Sequence, residues 1–161
     1  MKIFVYLFVL FTGFSVVAQE TSEETAAKKT VEAFFVAFHK QDSLALSDLA
    51  HHSVIMQSIA EDEEGNVNLT SNTYSDFIKA IISIPETTKF EEWLHSFEVR
   101  VDGPVAHVLA PYSFFVNGEL SHCGVNSFQL FKEEGTWKII YIVDTRSKED
   151  CESSLQFRIK K

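Results

Sequence analysis

Polar side chains that could orient a small molecule lie in two neighbouring segments of the second half of the chain. Tyr112 belongs to one apolar segment, and His122 and Asn126 belong to the next. Residues two apart on a β-strand face the same side, so His122 and Asn126 share a face with Phe128, and Tyr112 shares one with Phe114. A few hydrogen-bonding groups among aromatic rings are what a small-molecule site requires. We therefore expect these five residues to line one pocket.

Two further residues are expected at this pocket. Trp93 supplies another apolar wall, and His52, beside His51, lies near the start of an earlier predicted strand, at the mouth. Each polar residue also has a simpler explanation: a core tyrosine, a histidine bound to a backbone carbonyl, or an asparagine that closes a bulge. Pro111 predicts a bulge close to Tyr112 that could shift the register by one residue.

Several chemistries are disfavoured by residue spacing. His122 and Cys123 are adjacent, so they point to opposite faces of a strand and cannot form a nucleophilic pair. The histidines show no metal-ligand spacing, and no nucleophile elbow, phosphate-binding glycine loop or dinucleotide motif occurs. We therefore predict no metal and no cofactor. A proton-transferring dyad of His122 and Tyr112 stays open as an enzymatic alternative.

The elements that must hold these residues are long strands. Turn signals at 102–104, 117–118 and 134–135 divide the segment from Val99 to Arg146 into three stretches rich in Val, Ile, Phe, Tyr and Thr. Strands of this length suit a bent sheet that wraps around a helix. Upstream, apolar residues at helical spacing predict an amphipathic helix from Glu24, a short helix capped by Asp42 or Ser43, and a helix from Tyr74 that ends before Pro85.

Three stretches of this region resemble the nuclear transport factor 2-like superfamily: 122–130, 135–139 and the Asp-Thr-Arg sequence at 144–146. The exported SnoaL-like or lumazine-binding branch is the most similar, and the resemblance extends from Glu24 to Cys151. It implies an α+β fold shaped as a cone, with N-terminal helices packed on a strongly curved antiparallel sheet. It also implies dimers formed through that sheet, and relatives that include isomerases, dehydratases and cyclases.

The first residues match a secretory signal peptide. Met1-Lys2 precede an apolar run that ends at Ala18, and an acidic segment follows. The expected organisation is a signal peptide at 1–18, one domain at 19–151 and a polar tail at 152–161. We predict a periplasmic or extracellular protein that is not attached to a membrane after cleavage. The net charge of −9 argues against nucleic acid as a partner.

Cys123 and Cys151 are the two cysteines of the chain, and both follow the predicted signal peptide. An oxidising compartment permits a disulfide between them, which would close a loop of about 28 residues. Two unpaired thiols are the alternative.

The last predicted strand has two apolar faces. Alternation assigns Trp137 and Ile139 to one face, and Ile140, Ile142 and Asp144 to the other. An apolar outer row of Ile140 and Ile142 predicts a homodimer interface. Asp144 then points outwards with Arg146 and anchors the strand end or the dimer edge, so no carboxylate is expected inside the pocket.

Together these features predict an exported small-molecule-binding protein and do not themselves demonstrate turnover; lumazine is the ligand that the resemblance suggests. An acid-base enzyme that uses His122 and Tyr112 is one alternative. A structural or protein-interaction dimer with a vestigial pocket is the other.

Overall fold

The computed structural model describes residues 21–149 and 151. The predicted signal peptide at 1–18 and tail at 152–161 lie outside the described residues. Within the described residues, three helices and seven strands follow one another: α1 (Ser22–His39), α2 (Ser43–Leu49), β1 (Ala50–Glu61), β2 (Val67–Asn72), α3 (Tyr74–Ile82), β3 (Phe90–Leu94), β4 (Glu98–Asp102), β5 (Val105–Val116), β6 (Glu119–Glu133) and β7 (Thr136–Arg146).

The helices α2 and α3 begin where the sequence predicts them, and α1 begins at Ser22, two residues before the predicted start at Glu24. Polar side chains cap the free backbone N–H groups at each of these starts. Thr21 and Glu24 form a capping box at α1, and Asp42 caps α2 by accepting a hydrogen bond of 3.0 Å from the Ala45 N–H. Thr73 caps α3 in the same way. The apolar face of α1 is buried against the sheet.

The strands form one sheet in the order β2-β1-β7-β6-β5-β3, and β4 also pairs with β5. All neighbours are antiparallel except β1 and β7, which are parallel, so the sheet is mixed. The three long strands of the sequence analysis are β5, β6 and β7, and the predicted turns join them. Asn117 and Gly118 both have positive φ angles, as a two-residue hairpin between β5 and β6 requires. The expected α+β fold, with helices on one face of a curled open sheet, is confirmed.

The predicted faces of β7 are wrong beyond Ile139. Leu130 of β6 pairs with Ile139 and Gln129 pairs with Tyr141, which leaves Ile140 as an extra residue in a β-bulge. The bulge reverses the alternation that follows. Ile142 therefore faces inwards, with 2% of its surface exposed, and does not share an outer row with Ile140.

The bulge predicted at Pro111 does not occur there. Pro111 pairs regularly with Val125, and the register shifts further along, between Phe114 and Phe115. The alternation through Tyr112 is undisturbed as a result.

A disulfide joins Cys123 of β6 to Cys151, with Cα atoms 5.7 Å apart. Ser147 exchanges two backbone hydrogen bonds with Cys123, of 2.9 and 2.8 Å, and so continues the antiparallel pairing with β6 beyond the end of β7. In the part of the chain that the structure describes, no helix is long and apolar enough to cross a membrane.

Candidate functional site

A cavity of about 210 Å³ lies between the helices α1 and α3 and the concave face of the sheet. One part of its wall is apolar and mostly aromatic: Phe34, Phe35, Phe38, Met56, Phe77, Ile81, Phe114, Phe128 and Ile142. The rest carries hydrogen-bonding and charged groups: Glu92, Tyr112, His122, Asn126, Asp144 and Arg146. This two-part lining is what a site for a small organic molecule requires.

Three phenylalanines of the helices form the centre of the apolar wall. The rings of Phe34, Phe38 and Phe77 lie within 12° of parallel, with centroids 6.0 to 6.3 Å apart. Phe128 of β6 meets Phe34 edge-on at 5.4 Å. Helical spacing in α1 places Phe34 and Phe38 one turn apart, so they present neighbouring rings to the cavity.

Asp144 is buried in the polar part and has its counterion beside it. The Arg146 Nε donates to Asp144 Oδ2 at 2.6 Å, and the Ser58 hydroxyl donates to the other carboxylate oxygen. The Arg146 Nη2 in turn donates to Ser58 Oγ at 3.1 Å. The charge of Asp144 is therefore matched within the protein.

Tyr112 is buried, and its proton is engaged by the protein itself. Its hydroxyl donates to the Thr145 carbonyl at 2.9 Å and lies 3.4 Å from Asp144 Oδ2. Burial raises the pKa of Tyr112, so the hydroxyl stays neutral. Gly124, directly opposite Tyr112 on β6, permits this approach, because a Cβ there would lie 1.8 Å from the Thr145 carbonyl oxygen. Tyr112 thus ties β5 to the end of β7.

Glu92 is the second carboxyl group of the cavity. The Asn126 Nδ2 donates to Glu92 Oε1 at 2.6 Å. Burial raises the pKa of Glu92 to about 7. The hydrogen bond from Asn126 and the charge of Arg146 oppose this shift, and the charge of Asp144 adds to it. Within the described residues, no cationic side chain forms an ion pair with Glu92. Its carboxyl group therefore changes charge near neutral pH.

His122 lies at the rim of the cavity. Its ring packs on Phe114 at 4.9 Å and on Tyr112 at 5.7 Å, and its Nδ1 lies 3.1 Å from Ser121 Oγ. Burial and the nearby Arg146 charge lower the pKa of His122, so the ring is neutral at neutral pH. His122 and Arg146 also border an outer pocket of about 390 Å³, and this shared border marks the mouth of the cavity.

Five of the seven residues predicted from the sequence line this cavity: Tyr112, Phe114, His122, Asn126 and Phe128. Trp93 and His52 do not. Trp93 follows Glu92 on β3 and so faces the other side, where its ring packs on Phe115 and its indole N–H donates to Glu91. His52 is exposed in a separate groove.

Sequence reasoning missed the charged residues of the cavity. Glu92 pairs directly with Phe114 in the sheet, a residue correctly placed inside, but a sequence does not reveal the register between β3 and β5. Asp144 lies directly opposite Asn126, and it points inwards because of the bulge at Ile140. The expectation that no carboxylate lies inside the pocket is therefore wrong.

Among the described residues, no three His, Cys, Asp or Glu side chains converge as metal ligands.

Comparison with known proteins identifies the fold but not an activity. No family model matches the chain, and no curated protein is detectably similar. An NTF2-like protein from Cytophaga hutchinsonii has a similar structure, with a TM-score of 0.62, 14% identity, and coverage of 79% of this chain and 100% of that one. A protein from Streptomyces avermitilis is provisionally described as a dehydratase of the NTF2-like family. Its TM-score is 0.60 at 15% identity, and the match covers 78% of this chain and 96% of that one.

A third similar structure is the β subunit of a protein from Novosphingobium aromaticivorans that is provisionally described as an aromatic-ring-hydroxylating dioxygenase. Its TM-score is 0.63 at 13% identity, and the match covers 78% of this chain and 90% of that one. The chain therefore has the NTF2-like fold, as its sequence resemblance implied. Identities this low carry no information on chemistry.

Proposed function

We propose that this protein binds a small organic molecule, about one ring in size, inside its cone. The observation that supports this is the two-part lining of the cavity, with aromatic rings on one side and Glu92, Asn126 and His122 on the other. An apolar cavity of about 150 Å³ accommodates benzene, so about 210 Å³ suits one ring with a polar substituent. This size favours a single ring over the two fused rings of lumazine.

The test is native mass spectrometry of protein purified without denaturation, together with titration by toluene and phenol followed by NMR. A bound mass, or shifts confined to cavity residues, is the expected result. Ile142→Phe extends a side chain into the cavity and should abolish binding while the circular dichroism spectrum is unchanged. Ile55→Phe makes the same substitution at a position that is 55% exposed and should have no effect. Absence of bound mass and of any probe binding would contradict the proposal.

Proton transfer on the bound molecule is the second candidate function, and Glu92 is the observation that favours it. A carboxyl group with a pKa of about 7 can accept and return a proton at neutral pH. The dyad of His122 and Tyr112 is less suited, because the Tyr112 proton is engaged by the Thr145 carbonyl. Incubation of the recovered ligand with protein in deuterated water tests this. Turnover predicts deuterium in the ligand with the wild type and none with Glu92→Gln.

A further inference from the structure

Two acceptor oxygens in the cavity have no donor among the residues that the structure describes. Asn126 uses its Nδ2 to bind Glu92 Oε1, and within the described chain no residue donates a hydrogen bond to Glu92 Oε2 or to Asn126 Oδ1. Among the described residues, the fully buried side-chain polar atom without a hydrogen-bond partner is Trp137 Nε1. Glu92 Oε2 and Asn126 Oδ1 also lack a donor, so neither of them is fully buried. Both side chains line the cavity, so these oxygens are available to a ligand that donates hydrogen bonds.

The charges around Glu92 favour a cation. Asp144 and Arg146 of β7 neutralise each other. Tyr112 of β5 and His122 of β6 are uncharged at neutral pH. The charge of the cavity that has no counterion is therefore that of ionised Glu92. On α1, the His39 Nε2 accepts a hydrogen bond of 2.9 Å from the Glu92 backbone N–H and supplies no charge, because burial lowers its pKa.

The opposite face of β3 supplies no cation to Glu92 either. The side chains of Glu91 and Trp93 lie there and bind each other, with the indole N–H donating to the Glu91 carboxylate at 3.0 Å. An ionised carboxylate without a counterion in a largely apolar cavity is stabilised by a cation that enters it.

The aromatic wall suits the apolar part of such a ligand. Phe34, Phe38, Phe77 and Phe114 share a cavity of about 210 Å³ with Glu92, so one small ligand can contact both the rings and the carboxylate. The chain as a whole has a net charge of −9, which attracts cations from solution.

We propose that the ligand of this cavity is a small organic amine bound as its ammonium ion, with the nitrogen against Glu92 Oε2 and Asn126 Oδ1 and the apolar part against the phenylalanine wall. This inference rests on the proposed binding function and names the ligand class. Binding of an ammonium ion favours ionised Glu92, so it should release a proton near neutral pH. A ligand that accepts a hydrogen bond from protonated Glu92 would instead take up a proton.

Benzylamine, benzyl alcohol and benzoate test the inference, because they share one ring and a one-carbon substituent but differ in charge. At pH 8, benzylamine should bind at least about tenfold more tightly than benzyl alcohol, and benzoate should bind most weakly. Below pH 7 the affinity for benzylamine should fall by up to about tenfold per pH unit as Glu92 is protonated. Calorimetry at pH 7 in two buffers of different ionisation enthalpy should show release of about half a proton.

Two variants identify the group responsible. Glu92→Gln keeps the shape and should abolish the preference for benzylamine, its pH dependence and the proton release. Glu91→Gln makes the same change one residue away on the opposite face of β3 and should alter none of them.

The outcomes separate the two proposals. If benzyl alcohol binds as tightly as benzylamine, or if Glu92→Gln retains the preference, the amine inference is wrong while the binding function stands. If none of the three compounds binds, and toluene and phenol do not bind either, both proposals fail.

Discussion

Glu92 is an acidic residue whose ionisation the fold opposes. Its pKa rises from 4.5 to about 7 on folding because burial removes water from the carboxylate. Between these two values the folded chain holds a proton that the unfolded chain has released. Stability from this group is therefore present below pH 4.5 and is lost as the pH rises towards 7, the reverse of the behaviour of a salt-bridged acid.

Glu92→Gln should remove this penalty. We expect the variant and the wild type to have similar free energies of unfolding at pH 4.5, and the variant to be more stable at pH 8 by up to about 3 kcal/mol. Urea unfolding at both pH values measures the difference. The lowered pKa values of His122 and His39 affect both proteins equally and cancel in the comparison. An advantage of Glu92→Gln that does not grow with pH would contradict the assignment.

His122 contacts the cavity without being central to the core, so its role in binding can be separated from its role in stability. His122→Ala should weaken binding of a ligand that contacts the ring by about 1 to 3 kcal/mol. Ser127→Ala, one residue beyond Asn126 on the outward face, should have little effect on the cavity, since Ser127 binds His107 at 2.9 Å there. Calorimetry with benzylamine measures the binding of both variants. Unfolding of His122→Ala without a separable loss of binding would identify a purely structural histidine.

The site residues could be predicted where side chains alternate regularly between the two faces of a strand. Tyr112, His122 and Asn126 lie in regular stretches, flanked by Phe114 and Phe128, which mark the inner face, and alternation placed them correctly. Trp93 was predicted to line the pocket as an apolar wall, whereas Glu92, one position before it, faces the opposite side of β3 and lines the cavity instead. Burial of an acid among aromatic rings contradicts the hydrophobic pattern on which such predictions rest.

At the scale of elements, one extra residue decides the polarity of the cavity. The turns, caps and long strands were predictable because Gly, Asn, Thr and Asp at fixed positions encode them locally. The bulge at Ile140 was not, since it depends on the pairing of β7 with β6 and no glycine marks it. Without the bulge, Asp144 would point outwards and the cavity would lack its ion pair with Arg146.

Gly124 of β6 lies where Tyr112 of β5 and Thr145 of β7 approach each other closely. A Cβ at position 124 would lie 1.8 Å from the Thr145 carbonyl oxygen, which belongs to the backbone and cannot rotate away. Gly124→Ala should therefore separate the ends of β6 and β7 and lower the free energy of unfolding by about 3 kcal/mol or more. Val125→Ala, at a position 37% exposed, is the control and should cost far less. Chemical denaturation measures both, and equal stability of Gly124→Ala and wild type would refute the close contact.

At the scale of the whole molecule, the disulfide agrees with the proposed export, because disulfides persist in oxidising compartments. The bond between Cys123 and Cys151 spans 28 residues and should contribute about 3 to 4 kcal/mol to stability. Alkylation followed by intact-mass measurement should detect two thiols after reduction and none before it. Cys151→Ser should be as unstable as the reduced wild type. Free thiols in freshly isolated exported protein would end both this prediction and its link to export.

Assembly is the remaining property of the whole molecule, and we propose a homodimer formed through the outward face of the sheet. The bulge removes Ile142 from the predicted interface, but alternation now places Val143 on the outward face, directly opposite Ser127. Leu109 of β5 continues this row on the other side of Ser127, so half-buried apolar side chains still lie on a face that the aromatic helices do not cover. Apolar side chains on an uncovered sheet face favour contact with a second copy.

Val143→Glu should convert the dimer to monomer, because a carboxylate buried in an interface without a partner costs several kcal/mol. Ser75→Glu adds the same charge at an exposed position in the first turn of α3 and should leave the dimer intact. Light scattering coupled to size exclusion measures both masses. Binding of benzylamine should survive in the Val143→Glu monomer, since Val143 lies on the face of the sheet opposite the cavity. A wild-type protein that is already monomeric would remove the basis of the proposal, whereas a dimer that persists in Val143→Glu would move the interface elsewhere on the molecule.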